Sequence, residues 1–389
     1  MNKNLLLLSI AQGLFLTNNV TFIAINGLVG LSLAPVPWMA TLPVMGYVVG
    51  GALSTGLVAK SQQRFGRKGS FLLGLLIALI SAGIGAWAVL HSSFVLLVVA
   101  TLVAGYYSAN GQLYRFAAAE LCAPDYREKA VSLVMAGGLM GAIIGPNLAK
   151  YTKNWLELPF AGAYVALSVI ALLSMALMAC IEFPPVAAKK SSDQTGRSLQ
   201  EIARQPVFIV ATLSAALGYG VMNLLMAATP LAMQVCGLSF EDTAWFLQWH
   251  VIGMFSPGFV TGHLIQRFGV LTIMGVGVLL NVACISIALS GVDLHQFLFA
   301  LFLLGVGWNF LFTGSTTLSM QAYSSQEKDK AQAAINFCVF ATMAVTSFAS
   351  GALVTTQGWT WLNWGSLLPV AITASGLLFL KLRPNRVQG

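Results

Sequence analysis

The chain has little charge: Asp, Glu, Lys and Arg make up only 8% of its 389 residues, against about 25% in an ordinary soluble domain. A soluble fold of this length needs a charged surface that this composition does not supply. Hydrophobic residues make up 57% of the chain. Apolar runs of about 20 residues, long enough to cross a bilayer core, recur from end to end. The sequence therefore predicts an all-α integral membrane protein that crosses the bilayer many times.

Acidic residues are scarce within these apolar runs, since all 12 fall in loops or at predicted helix ends. Buried carboxylates are common proton-relay groups in pumps and transporters, so their scarcity disfavours a carboxylate-based drug or proton antiporter. The sequence also lacks a phosphate-binding loop, a nucleophile elbow and paired catalytic carboxylates, which argues against an enzyme. The 5 cysteines stand singly, without a CxxC motif or a disulfide-like spacing.

Turn residues and charges divide the chain into two sets of predicted spans, twelve in all. They lie at about 5–30, 37–59, 70–90, 94–120, 130–150, 159–182, 206–235, 241–264, 270–290, 295–321, 331–354 and 361–382. The only long polar stretch separates the sixth span from the seventh. We therefore predict an N-terminal six-helix bundle at 1–183, a linker at 184–205 and a C-terminal six-helix bundle at 206–389.

The basic residues indicate how the chain is oriented. With an even number of spans, both termini lie on one side of the membrane, and all basic residues except Arg115, Lys150 and Lys153 fall on that side. Because cytoplasmic loops carry an excess of Lys and Arg, both termini and the linker are predicted to be cytoplasmic. The net charge of +8 is thus a topology signal and not a sign of nucleic-acid binding. We expect a monomer in the bacterial inner membrane, with the lipid bilayer as its surroundings.

Two short motifs occur once in each set of spans. The tetrapeptide QRFG at 63–66 follows the second span and recurs at 266–269 after the eighth, and the charged stretch 127–130 after the fourth span is echoed at 328–331 after the tenth. Transporters are often built from such repeated halves. The repeats therefore favour a transporter over a channel or a structural membrane protein.

The loop at 59–68 resembles the signature loop G-x-L-A-D-R-x-G-R-[KR] between helices two and three of the major facilitator superfamily, and the copy at 262–269 keeps its leading glycine. Both copies have glutamine where the family has an acidic residue. In the family, this acid is thought to stabilise one conformation through a charge contact, which glutamine cannot make. The resemblance implies two six-helix bundles related by a pseudo-two-fold axis, which rock around a central site. It also implies a gating role for the motif residues Gln63, Arg64, Gly66, Arg67, Gln266, Arg267 and Gly269.

Sulfur and imidazole groups recur four residues apart in the C-terminal set, as Met222 and Met226 on span seven and His250 and Met254 on span eight. Residues four apart share a helix face, and thioether and imidazole ligands suit Cu(I), although methionine is ordinarily packing material. The pattern resembles the MxxxM and HxxxM motifs of CcoA-type copper importers and matches them residue by residue. This resemblance implies uptake of copper as the transported substrate, for the assembly of cbb3-type haem-copper oxidases, with no prosthetic group.

Other polar groups within the spans are candidates for lesser roles. Met233 and Cys236, further along span seven, are candidates for a metal relay, although packing is the simpler interpretation. Because polar groups in spans usually face the bundle interior, we expect several of them to line a cavity: Asn18, Asn19, Asn26, Asn110, Arg115, Trp308 and Asn309.

Two alternatives to copper import remain open from the sequence. The main one is a carrier of a small organic solute, such as a vitamin, siderophore or drug, in which Trp, Asn and Tyr residues form the pocket and the methionines only line it. The other is a membrane sensor or assembly factor that uses the same fold without transport. Metal-insensitive transport of an organic ligand would distinguish the first alternative from copper import.

Overall fold

The computed structural model describes residues 3–123, 127–183, 197–324 and 327–382. These residues form fourteen α-helices and one short 3-10 helix, and no strand occurs among them. The side chains of Gln63 and Arg115 lie outside the described part. The predicted all-helical membrane fold is thus confirmed.

The first six spans are the N-terminal half and the last six are the C-terminal half. The N-terminal spans are Lys3–Leu33, Pro37–Gln62, Arg64–Leu90, Phe94–Gly111, Arg127–Thr152 and Ala161–Ala179. The C-terminal spans are Pro206–Val235, Phe240–Phe255 continued by Gly258–Phe268, Val270–Ser290, Leu294–Ser319, Lys328–Thr356 and Gly358–Leu382. Ten of the twelve are long and apolar enough to cross a membrane on their own. Lys3 and Leu382 lie at one end of the bundle, the terminal face, and the other end is the opposite face.

Span eight is divided into helices of 16 and 11 residues, each shorter than the roughly 20 residues that cross a bilayer core. The break falls at Ser256 and Pro257, where the proline has no backbone N–H to continue the helical ladder. Asn309 of span ten joins the two pieces: its Nδ2 donates to the Met254 carbonyl and its Oδ1 accepts from the Thr261 hydroxyl, each at 2.7 Å. The neighbouring span therefore satisfies polar groups on both sides of the break.

The first motif was expected in a loop, and the structure shortens this loop to a kink. The helices of spans two and three meet within 59–68, and Gly66, with φ of 68°, is the residue there that leaves the helical conformation. In the second copy Gly269, with φ of 85°, separates spans eight and nine. A Cβ on either glycine would meet nothing within 4 Å, so these positions need glycine for its positive φ and not for space. One glycine is enough to change the chain direction, and no longer loop is required.

Span four was expected to continue to residue 120, but the structure divides it. The helix Phe94–Gly111 ends in a turn, and a short helix Tyr114–Glu120 follows. Glu120 ends the second helix, so this acidic residue lies at a helix end as predicted.

The described end of the linker is bound to the C-terminal half. Its short helix Leu199–Ala203, the linker helix, is preceded by Arg197, whose Nε and Nη2 donate to the Glu327 carboxylate at 2.9 and 2.8 Å. Glu327 is only 2% exposed, and the hydrogen bonds from Arg197 hold the pKa of its carboxyl well below the ordinary range. Ile202 of the linker helix is fully buried. The rest of the predicted linker, 184–196, lies outside the described residues.

Candidate functional site

The two halves contact each other near the opposite face. Thr41 directly precedes the helix that begins at Leu42. The backbone N–H of Gly351 in span eleven donates to the Thr41 hydroxyl at 3.0 Å, and the same hydroxyl lies 3.5 Å from the Phe348 carbonyl oxygen. Between spans five and eight, Asn147 Nδ2 donates to Gln248 Oε1 at 2.9 Å. These contacts close the interface at the opposite face.

Charged side chains reinforce this closure. Lys150 Nζ lies 3.1 Å from Glu241 Oε2 of the other half. Lys153 Nζ lies 5.4 Å from the ring centroid of Phe160 and 5.1 Å from that of Phe240, and the two rings meet edge to face at 5.0 Å. A lysine above aromatic rings is attracted by their quadrupoles. Both lysines that the sequence places away from the terminal face therefore join the two halves.

A group of neutral polar side chains lies on the N-terminal side of the interface. Asn19 Nδ2 donates to the Tyr47 hydroxyl at 3.2 Å, and the Ser108 side chain lies near the same hydroxyl. The three residues come from spans one, two and four, and Phe22 supports the Tyr47 ring at a centroid distance of 4.8 Å. We call Asn19, Tyr47 and Ser108 the polar wall.

A group of aromatic rings lies in the C-terminal half. Trp308 and Phe312 of span ten are nearly parallel, with centroids 5.2 Å apart and an interplanar angle of 10°. Tyr219 of span seven meets both edge to face, at 5.3 and 5.4 Å. The Trp308 Nε1–H is buried and has no hydrogen-bond partner within the described residues. We call Tyr219, Trp308 and Phe312 the aromatic wall.

Three members of the two walls lie at a similar depth, and the helices that carry the walls pack against each other. Asn19, Ser108 and Trp308 each lie fourteen residues along their helix from its end at the opposite face, a depth of about 21 Å at 1.5 Å per residue. Span one, which carries Asn19, packs against span seven, which carries Tyr219. Together the walls form a candidate binding site between the halves, which we call the central site.

The predicted metal ligand His250 is fully buried. Its Nδ1–H donates to the Leu301 carbonyl of span ten at 2.6 Å, so Nε2 carries the lone pair. Nε2 is buried and has no hydrogen-bond partner in the described part of the chain. Gly305 makes this close packing of spans eight and ten feasible, because a Cβ there would lie 2.5 Å from the His250 carbonyl oxygen.

The predicted sulfur ligands belong to the packed core. Met222, Met226 and Met254 are 2%, 6% and 7% exposed. Span ten packs against both span seven and span eight, which touch each other at few residues. The two helices that carry the predicted ligands therefore pack mainly against span ten and little against each other. Metal binding by Met222, Met226, His250 and Met254 stays a prediction.

The relay candidates differ in their surroundings. Met233 is fully buried, with the Thr243 hydroxyl 3.9 Å from its sulfur. Cys236 is exposed at the end of span seven. A relay through these two residues stays a prediction.

Four of the predicted cavity-lining residues lie away from the central site. Asn26 Oδ1 accepts from the Tyr164 hydroxyl at 2.8 Å and Asn110 Oδ1 accepts from Ser70 at 2.9 Å, so both fix helices within the N-terminal half. Asn309 joins the pieces of span eight, and Asn18 lines a small cavity inside the N-terminal half.

Asn19 and Trp308 are the two predicted residues that reach the central site. Sequence reasoning did not single out Tyr47, Ser108, Tyr219 or Phe312. Their places in the site follow from contacts between different spans, which the sequence alone does not give.

The motif residues make contacts within their own halves. Arg67 Nε and Nη2 donate to the Glu120 carboxylate at 3.0 and 2.5 Å, so a charge contact exists although the first motif copy has glutamine for the usual acid. Arg64 lies 5.3 Å from the centroid of the adjacent Phe65 ring, and Arg267 lies at the same distance from Phe268. The two copies thus share local geometry, and a gating role for either stays a prediction.

Comparisons with known proteins agree with this architecture. The family model of the Major Facilitator Superfamily matches residues 5–258 and 213–388. The chain is 37% identical over 385 residues to the riboflavin transporter RfnT of Brucella anthropi, and the match covers 98% of this chain and 96% of that protein.

Solved structures share the fold at low sequence identity. A point mutant of the nucleoside transporter NupG aligns with a TM-score of 0.75 at 13% identity over 97% of this chain and all of that one. A bacterial metal transporter aligns with a TM-score of 0.68 at 13% identity over 98% and 100% of the two chains. At such identities these likenesses concern the fold alone. The chain therefore belongs to the major facilitator superfamily, and it is a multi-pass membrane transporter and not an enzyme.

Proposed function

We propose that this transporter carries a flavin, with riboflavin as the first candidate, by alternating access of the central site to the two sides of the membrane. The observation that carries the proposal is the 37% identity to a riboflavin transporter across nearly the full length of both chains. A carrier of a small organic solute was the alternative expectation from sequence. The relatives support it better than copper import.

The central site has the chemical character that a flavin requires. Flavins combine a planar tricyclic ring with polar edges, and aromatic side chains bind such rings by offset stacking or edge-to-face contact. The aromatic wall supplies three rings and one unpaired N–H donor. Organic-ligand sites are usually apolar and aromatic, with a few polar groups that set orientation, and the two walls fit this description.

The distribution of basic residues supports an orientation for the proposed cycle. With the terminal face in the cytoplasm, a bundle held together at the opposite face is an inward-facing state, from which an imported solute is released. We place the protein in the bacterial inner membrane and propose import as the direction of transport. A monomer suffices as the working unit, because the two halves of one chain supply both walls.

Copper import remains a second candidate because of one observation. The Nε2 lone pair of His250 is buried without a hydrogen-bond partner in the described residues, and a buried acceptor without a partner is costly. A soft metal ion would satisfy it, with Met222, Met226 and Met254 as further ligands.

The test measures both substrates on the same cells. Radiolabelled riboflavin uptake is measured in a bacterial strain that cannot make riboflavin, with and without this chain, and radioactive copper uptake is measured under reducing conditions. We expect saturable riboflavin uptake that His250→Leu and Met226→Leu variants do not abolish. Copper uptake that both substitutions abolish, without riboflavin uptake, would overturn the proposal in favour of copper. Uptake of neither would refute both.

A further inference from the structure

The two walls of the central site differ in chemistry, and each belongs to a different half. The polar wall offers two hydroxyls and an amide from spans one, two and four. The aromatic wall offers three rings and one N–H from spans seven and ten. A solute that touches both walls therefore meets a polar surface on one side and an aromatic surface on the other.

We infer that the central site binds its flavin in one orientation, with the ring against Tyr219, Trp308 and Phe312 and the ribityl chain against Asn19, Tyr47 and Ser108. This inference rests on the proposed function. It goes further because it assigns each wall to one part of the substrate and so names the residues that determine specificity.

The aromatic wall is suited to the ring. Tyr219 stands nearly perpendicular to the paired rings of Trp308 and Phe312, at 88° and 79°, so the three side chains offer both ring faces and ring edges to a flat molecule. Trp308 is 6% exposed and its Nε1–H has no partner within the described residues. A buried donor without an acceptor is costly. A carbonyl or imine nitrogen on the edge of the ring would accept from it.

The polar wall is suited to a neutral polyol. Hydroxyl groups can donate and accept at once, and amides carry both kinds of group. Asn19 and Tyr47 can therefore exchange their mutual hydrogen bond for bonds to the ribityl hydroxyls, and the Ser108 hydroxyl can make a further one. All three side chains are uncharged. We therefore expect the polar wall to favour riboflavin over its phosphate ester, whose charge would need a cationic partner to offset its desolvation.

The division also links binding to the transport cycle. A ligand shifts a conformational equilibrium only through contacts that differ between the states. A flavin whose ring is bound by one half and whose chain is bound by the other makes contacts that change when the halves rock. A flavin ring without the ribityl chain lacks the contacts with the polar wall.

The test compares ligands that contain one or both parts. Quenching of flavin fluorescence is titrated on the purified full-length protein in nanodiscs, with riboflavin, with lumichrome, which is the ring without the ribityl chain, and with riboflavin 5′-phosphate. The variants are Tyr47→Phe and Trp308→Phe. The matched controls are Tyr107→Phe, which removes the hydroxyl of the residue before Ser108 at the small cavity inside the N-terminal half, and Trp364→Phe, at an exposed tryptophan of span twelve.

We expect Tyr47→Phe to raise the Kd of riboflavin about 3- to 10-fold, the effect of losing a neutral hydrogen bond, and to leave the Kd of lumichrome unchanged. Trp308→Phe should raise the Kd of both ligands by a similar factor, and both controls should bind like the wild type. Equal effects of Tyr47→Phe on the two ligands, or none, would overturn the inference while wild-type riboflavin binding upholds the proposed function. Failure of the wild type to bind any of the three flavins would overturn both.

Discussion

Replacement of Gly351 by leucine should prevent closure of the opposite face. Gly351 lies where span eleven meets the residue before the helix of span two, and its backbone N–H donates to the Thr41 hydroxyl at 3.0 Å. A Cβ at this position would lie 2.9 Å from Thr41 Cγ2 and closer still to Oγ1. The added side chain has no space unless the two halves separate at that end.

The size of the effect follows from the overlap. Inserting carbon atoms into a well-packed contact costs about 1–3 kcal/mol, and this cost falls only on the state in which the opposite face is closed. The ratio of closed to open molecules should therefore decrease about 5- to 150-fold. Removal of the Lys150–Glu241 ion pair should have a smaller effect of about 0.2–1 kcal/mol, since the Glu241 side chain is 70% exposed.

Distances between spin labels can measure this shift. The exposed native Cys236 carries one label and an exposed Tyr151→Cys site carries the other, so the pair spans the two halves at the opposite face. The remaining cysteines are replaced by serine or alanine: Cys122, Cys180, Cys284 and Cys338. Electron–electron resonance on Gly351→Leu should show a longer distance component than the parent protein shows.

Gly365→Leu is the matched control, because a Cβ at Gly365 of span twelve would meet nothing within 4 Å. It should give the distance distribution of the parent. If folded Gly351→Leu protein shows that same distribution, the contact between Thr41 and Gly351 does not determine closure and the reasoning is refuted. Transport activity of Gly351→Leu, measured with the proposed substrate riboflavin, should fall together with the closed population.

Two further outcomes are expected. Gly305→Val should lower the free energy of unfolding by about 1–3 kcal/mol, since the valine side chain would overlap the His250 backbone. Thermal unfolding in detergent measures this effect. Gly275→Val, where a Cβ would meet nothing within 4 Å, should leave the melting temperature unchanged. Glu327→Gln should release the linker helix and speed its amide hydrogen exchange. Because the Arg197 hydrogen bonds lower the Glu327 pKa, this contribution is complete above the ordinary carboxyl pKa of about 4.3 and is lost only as pH falls through the lowered pKa. Equal exchange in wild type and Glu327→Gln at pH 7 would contradict it.

Local pattern was sufficient for some features and misleading for others. Apolar runs between turn residues predicted the spans. The same turn residues suggested a loop at 59–68, where the structure has helix interrupted only at Gly66. A polar, glycine-containing stretch can remain helical when it joins two long helices, and composition alone does not reveal this.

The predicted asparagines show why a site is harder to find than a fold. Asn19, Asn26 and Asn110 are alike in sequence, each standing within an apolar span. Only their partners distinguish them, since Asn26 bonds Tyr164 and Asn110 bonds Ser70 inside one half, whereas Asn19 reaches Tyr47 at the interface. The partners come from distant parts of the chain, and no local pattern names them.

By itself, the sequence determined that this protein is a helical membrane transporter with two related halves, because span length, scarcity of charge and repeated motifs are properties of neighbouring residues. The tertiary structure decided which face is closed and which side chains meet at the centre. It also decided that span ten lies against both spans seven and eight, which four-residue spacing within each of those helices does not reveal. Helical spacing determines which residues share a face of one helix, but the packing of whole helices determines what that face meets.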